Sequence, residues 1–140
     1  MDWRKIALGV ACLLMGCAIY LVLRKDTIHL YRWWQAAVGT GALESLRETA
    51  RSWQVPECVR YSLPDGLYCL SYILITDGLL NGEKGFWRHA IVCLIPTVAI
   101  THECLQAAGL ARGTFDWVDV VCYALPPTAY FLYMRMRENT

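Results

Sequence analysis

The chain has 140 residues, enough for one domain, and 56% of them are apolar, with 12% aromatic and a mean hydropathy of +0.33. That composition belongs to a polytopic membrane protein rather than to an ordinary soluble domain. The formal net charge is +1, and the basic residues stand beside apolar segments instead of forming a stripe, which sets nucleic acid aside as a partner.

Residues 6–23 are uninterrupted apolar and small residues between Arg4-Lys5 and Arg24-Lys25. Eighteen residues rise ~27 Å as a helix, enough to cross a hydrocarbon core. The apolar run continues well beyond Cys17, which argues for a span rather than a cleaved leader. The longest connection follows. Ile28, Leu30, Tyr31, Trp33 and Trp34 place an aromatic group just past the first span, as expected at a membrane boundary. After Gly39-Thr40-Gly41, the apolar positions Leu43, Leu46, Ala50 and Trp53 recur at helical spacing, with Glu44, Arg47, Glu48 and Arg51 facing the other way. This pattern predicts an amphipathic helix over 42–53 lying in the interface. The alternative is a lid folded over a site. Pro56 ends the periodicity.

A second span, 65–80, opens at Pro64-Asp65, where proline suits a first turn and an acid complements a helix N-terminus. Tyr68, Ser71, Tyr72, Thr76 and Asp77 make one of its faces polar. Asp77 lies ~18 Å along the helix from Asp65 and is expected to be solvated at the far surface. Residues 81–85 form a turn by composition. The third span, 87–107, carries an interfacial or hydrogen-bonded His89 near its start, a kink at Pro96, and Glu103 and Gln106 near its finish. A short turn with Gly109 and Gly113 leads to the fourth span, 117–134, which Pro126-Pro127 interrupts and Arg135 and Arg137 follow.

The expected fold is therefore an all-α membrane protein, a single integral membrane domain over 1–140, with four transmembrane helices and an interfacial amphipathic helix between the first and second. Six of the seven cysteines, Cys12, Cys17, Cys69, Cys93, Cys104 and Cys122, fall in or beside apolar runs and read as small hydrophobes. Cys58 alone lies in a polar connection, and no C-x-x-C spacing occurs. Four spans put Asp65, Glu103, Gln106, Asp116 and Asp119 on one membrane surface. Basic residues flank the spans six to five in favour of the surface carrying both termini, which the positive-inside rule makes cytoplasmic.

Ionisable residues at the ends of apolar segments are functional-site candidates by default, and here they come in a pattern. Glu103-x-x-Gln106, a short glycine-containing turn, and Phe115-Asp116-x-x-Asp119 at the head of an apolar helix, with Asp65 and Tyr72 upstream, resemble the VanZ-like family of small integral membrane proteins. The likeness covers roughly 65–123. It departs at Asp65-Gly66 and Tyr68-Cys69, where the family has Asp-Lys and then a histidine, and at Tyr123, where the family has an asparagine. The resemblance implies a cell-envelope protein of the bacterial inner (cytoplasmic) membrane, from a family named for an association with glycopeptide resistance. The candidate ligand-binding residues are Asp65, Tyr72, Glu103, Gln106, Phe115, Asp116 and Asp119.

Three functions fit such a cluster. It could bind a membrane lipid or envelope amphiphile, with the proline kinks opening a groove. With His102 it could hold a divalent cation and act on a lipid phosphate or lipid-linked carrier, although no metal-ligand spacing, nucleophile elbow or phosphate-cradling loop is present and no other cofactor is expected. It could be structural, its acids capping helices and joining them by hydrogen bonds. The binding reading predicts that Asp65, Glu103 and residues 115–119 converge into one polar pocket under or beside the amphipathic helix.

Overall fold

The computed structural model describes residues 1–24, 32–34, 36, 41–83 and 85–138, and the side chains of these except at 42, 51, 137 and 138. Ile28, Leu30, Tyr31, Gly39 and Thr40 of the long connection lie outside the described residues, as does the Arg51 side chain. The described structure is helical and contains no strand: α1 (Trp3–Leu23), α2 (Gly41–Arg51), α3 (Glu57–Leu79), α4 (Phe86–Val92), α5 (Leu94–Ala107) and α6 (Trp117–Glu138). The all-helical class expected from the sequence is thus present. One helix, α1, is long and apolar enough to cross a membrane, and α4 with α5 meets the same test if the bent pair is taken as one unit.

Short turns between α3 and α4 and between α5 and α6 force antiparallel neighbours. α1 packs along α3, α3 along α6, and α6 against α5. Small residues bring α1 and α3 close together. A Cβ on Gly9 would stand 2.7 Å from Ile75 Cγ1 and 2.9 Å from the Ser71 carbonyl, and one on Gly78 would stand 2.8 Å from Ile6 Cγ1. Close backbone approach of this kind characterises helix packing in membranes, where association rests on van der Waals contact.

The interior holds Ile73, Val92, Cys69 and Tyr130 together with polar Ser62, Ser71, Asp77 and Glu103. The outside is strongly apolar: Leu8, Leu14 and Met15 on α1, Leu94 and Val98 on α5, and Val121, Leu125 and Leu132 on α6 are all exposed.

Several expected boundaries move. α3 begins at Glu57, so Pro64 and Asp65 lie two turns inside a continuous helix and Asp65 is no N-terminal cap. Pro56 precedes the first turn, its carbonyl accepting from the N–H groups of Val59 and Arg60. Pro64 leaves the Arg60 carbonyl without its helical donor, and the next carbonyl, of Tyr61, accepts from Arg24 Nη2 at 3.1 Å. The third hydrophobic segment is divided at Cys93, with a 54° bend between α4 and α5. The break falls three residues before Pro96, where the missing proline N–H would have met the carbonyl of Val92. Through Pro126-Pro127, by contrast, α6 runs without interruption.

The amphipathic segment is helical, but its buried stripe differs from the expected one. Leu43, Arg47 and Ala50 are buried, whereas Leu46 is 59% and Trp53 58% exposed. Leu43 packs on Leu21, and Arg47 donates from Nη1 to the Leu21 carbonyl at 2.9 Å and from Nη2 to the Arg24 carbonyl. The last carbonyls of a helix have no internal partner and carry its negative dipole end. A guanidinium laid across the end of α1 serves both, and that is why Arg47 turns inward. All seven cysteines are free thiols, and Cys104 faces outward from its apolar run.

Candidate functional site

Antiparallel packing brings the end of α1, the start of α3, the end of α5 and the start of α6 to one end of the bundle. The α5–α6 connection is shaped by Gly109 at φ 71° and Gly113 at φ 130°, both left-handed. A side chain at Gly113 would also collide with the carboxamide of Gln106. The turn wraps that carboxamide: Gln106 Nε2 donates to the Arg112 carbonyl at 3.2 Å and lies 3.2 Å from His102 Nδ1. Gln106 is therefore a post for the turn, although its Oε1 is buried without a partner.

The turn delivers Asp116 as the cap of α6, with Oδ1 accepting from the Val118 N–H at 2.8 Å. Glu103, 5% exposed, reaches across from α5, and its Oε2 accepts from the Asp116 N–H at 3.4 Å. Carboxylates are favourable at this positive helix end, where backbone donors lack helical partners. One turn on, Asp119 has no such use, and its Oδ1 is buried with no hydrogen-bond partner. Asp65 on α3 faces Asp119, Glu103 and the Tyr123 hydroxyl, with Arg24 Nη2 at 3.9 Å. Arg24 also lies over the Tyr20 ring, 4.5 Å from its centroid.

A cavity of about 340 Å³ opens beside these groups, lined by Arg24, Glu57, Cys58, Ser62, Asp116 and Asp119 among others. Its wall thus carries three carboxylates and one guanidinium. Of the seven residues singled out from sequence, Asp65, Glu103, Asp116 and Asp119 come together here and Gln106 supports the turn. Phe115 packs edge-on against Trp117, ring centroids 4.8 Å apart. Tyr72 is elsewhere: its hydroxyl donates to the Ile91 carbonyl at 2.8 Å, beside the break between α4 and α5.

Arg24 is legible in the sequence only as a charge flanking the first span and Tyr123 only as a departure from the family pattern, and Glu57, Cys58 and Ser62 of the pocket wall are not singled out by it. Pro56 followed by Glu57 was the available signal for the last three, being a helix start with an acid in its first turn.

Asp77 overturns its expectation. It is 2% exposed, and its carboxylate accepts from Lys5 Nζ at 2.6 Å, from Arg88 Nε at 3.0 Å and Nη2 at 2.5 Å, and from the Tyr130 hydroxyl at 2.9 Å. Lys5, Arg88 and Tyr130 come from three other helices, so this cluster ties together the opposite end of the bundle from the acid pocket.

Among the described residues no group of three or more His, Cys, Asp or Glu side chains is placed to hold a metal ion. Compared with family models, curated proteins and solved structures, the chain matches none of the three.

Proposed function

We propose that the protein is a four-span integral membrane protein of the cell envelope that binds the polar head of a membrane lipid or envelope amphiphile in the pocket between α1, α3 and α6. The observation that carries the binding reading is Asp119, whose buried Oδ1 goes without a hydrogen bond beside a cavity of about 340 Å³. A buried unpaired carboxylate oxygen is costly. A head group that donates hydrogen bonds, an amine or a polyol, would satisfy it and suit a wall richer in acids than in bases.

Support for the membrane part comes from the inverted distribution of polarity. Large apolar side chains cover the outside of α1, α5 and α6 while Ser62, Ser71, Asp77 and Glu103 are buried, and only 17% of the apolar window of α1 is buried. A soluble monomer rarely exposes so continuous an apolar surface. Lipid as the surrounding solvent accounts for it. The spans then correspond to α1, α3, α4 with α5, and α6, and α2 lies at the surface carrying the pocket. The likeness of Glu103-x-x-Gln106 and Phe115-Asp116-x-x-Asp119 to the VanZ-like motifs points the same way and connects the pocket with glycopeptide tolerance.

A structural reading is favoured by one observation, that Glu103 and Asp116 both satisfy the head of α6. The two readings part at Asp119. Mass spectrometry of lipids co-purifying with the wild type and with Asp119→Asn tests the proposal. An amphiphile enriched over its share of the membrane and lost from a folded Asp119→Asn protein is expected. Bulk lipid alone on the wild type, or an unchanged complement on the variant, overturns it.

A further inference from the structure

A second cavity, of about 330 Å³, runs along the outside of the bundle between α1, α3 and α6. Leu8, Leu70, Leu74, Pro126, Ala129 and Tyr133 form most of its wall, and Leu8, Ala129 and Tyr133 are exposed, so it opens sideways along the apolar surface. Apart from the Tyr133 hydroxyl these wall side chains have no donor or acceptor, and buried Ile73 also lines the groove. The polar lining residues cluster together: Asp77 accepts from Lys5 Nζ at 2.6 Å and from the Tyr130 hydroxyl at 2.9 Å, and Lys5 Nζ lies 5.5 Å from the Tyr133 ring centroid.

That cluster carries excess positive charge. Lys5 and Arg88 share the single carboxylate of Asp77, so that among the described residues two cations pair with one acid. Both side chains stay reachable, 15% and 10% exposed. The Asp2 carboxylate is turned to the head of α1, where its Oδ1 accepts from the N–H groups of Arg4 and Lys5. Arg4 and Arg135 add exposed basic side chains near the same end.

An apolar slot of this size is within the range of small-ligand sites, and methylene groups are what such walls retain. Low local dielectric strengthens the attraction of such a pair of cations for an anion. We propose that the groove holds an acyl chain of an anionic phospholipid, with its phosphate against Lys5 and Arg88. A zwitterionic lipid would bring its own cation to the basic end and is disfavoured. The inference rests on the membrane reading but not on the acid pocket, which lies at the other end of the bundle.

The test uses purified full-length protein in a neutral detergent, titrated with phosphatidylglycerol or phosphatidylcholine of identical chains. Thermal stabilisation reports binding, since a ligand of the folded state alone raises the unfolding temperature. Phosphatidylglycerol should bind about tenfold more tightly than phosphatidylcholine, and Lys5→Gln, which retains a donor for Asp77 and removes the charge, should erase that preference. Ala129→Trp, which fills the groove from an exposed position, should abolish stabilisation by phosphatidylglycerol. Equal binding of the two lipids by the wild type, or undiminished phosphatidylglycerol binding by Ala129→Trp, overturns the proposal. The wild-type comparison decides alone if the variants fail to fold.

Discussion

Asp77 accepts four hydrogen bonds from side chains on three other helices, whereas Asp119 has one oxygen buried with none. The same chemical group therefore answers differently to the same substitution. Asp77→Asn leaves the half-buried Lys5 and Arg88 without their shared counter-charge, and breaking a buried pair from one side costs up to about 3–5 kcal/mol. A large fall in the unfolding temperature in detergent is expected, and an unchanged temperature would refute the role. Asp119→Asn removes the charge of a buried, unbonded oxygen, so stability should be retained or rise, by up to about 1–3 kcal/mol, while the pocket loses its ligand. A loss comparable to that of Asp77→Asn would make Asp119 structural. Spacing along α3 made the position of Asp77 toward the far end of the helix legible in the sequence, though not its burial. It could not show that Lys5, 72 positions away, arrives at the same point, because partner choice is set by which helices pack together.

Helices are legible as apolar runs, but their ends and buried faces answer to tertiary contacts. Pro64 reads as a helix start when taken locally, yet α3 continues through it because packing against α1 and α6 outweighs one lost backbone bond. Arg47 reads as solvent-facing for the same local reason, until the open carbonyls of α1 claim it. Arg47→Met should release α2 from α1: hydrogen exchange across 41–51 should rise, corresponding to about 1–3 kcal/mol of lost local stability for an unsatisfied buried acceptor, while α3 and α6 keep their protection. Unchanged exchange in α2 would show that Leu43 and Ala50 suffice. At the α1–α3 contact, Gly9→Val puts atoms where Ile75 Cγ1 and the Ser71 carbonyl already are, and overpacking of this kind costs about 1–3 kcal/mol. Chemical unfolding that gives the wild-type midpoint would mean that the two helices separate freely.

At the scale of the whole molecule, the two ends of the bundle differ in sign. One gathers Lys5 and Arg88 around a single acid; the other gathers Asp65, Glu103, Asp116 and Asp119 with Arg24. The up-and-down order that separates them was readable from apolar runs and short turns, since antiparallel neighbours follow from connection length alone. The contents of the pocket wall were readable only in part, because Arg24 and Ser62, from different helices, owe their places to packing across the bundle. If the bundle spans a bilayer, α3 carries the chain from the acid end to the basic end through it. Cys58, exposed beside the acid pocket before α3 enters the bundle, and Asn81, exposed in the turn after α3, then lie on opposite sides. A membrane-impermeant thiol reagent applied to intact cells, with Cys58 as the sole cysteine in one protein and Asn81→Cys as the sole cysteine in another, tests this directly. Labelling of Cys58 from outside, and of the residue-81 cysteine only after permeabilisation, is the predicted result; labelling of both from the same side would contradict the membrane-spanning account.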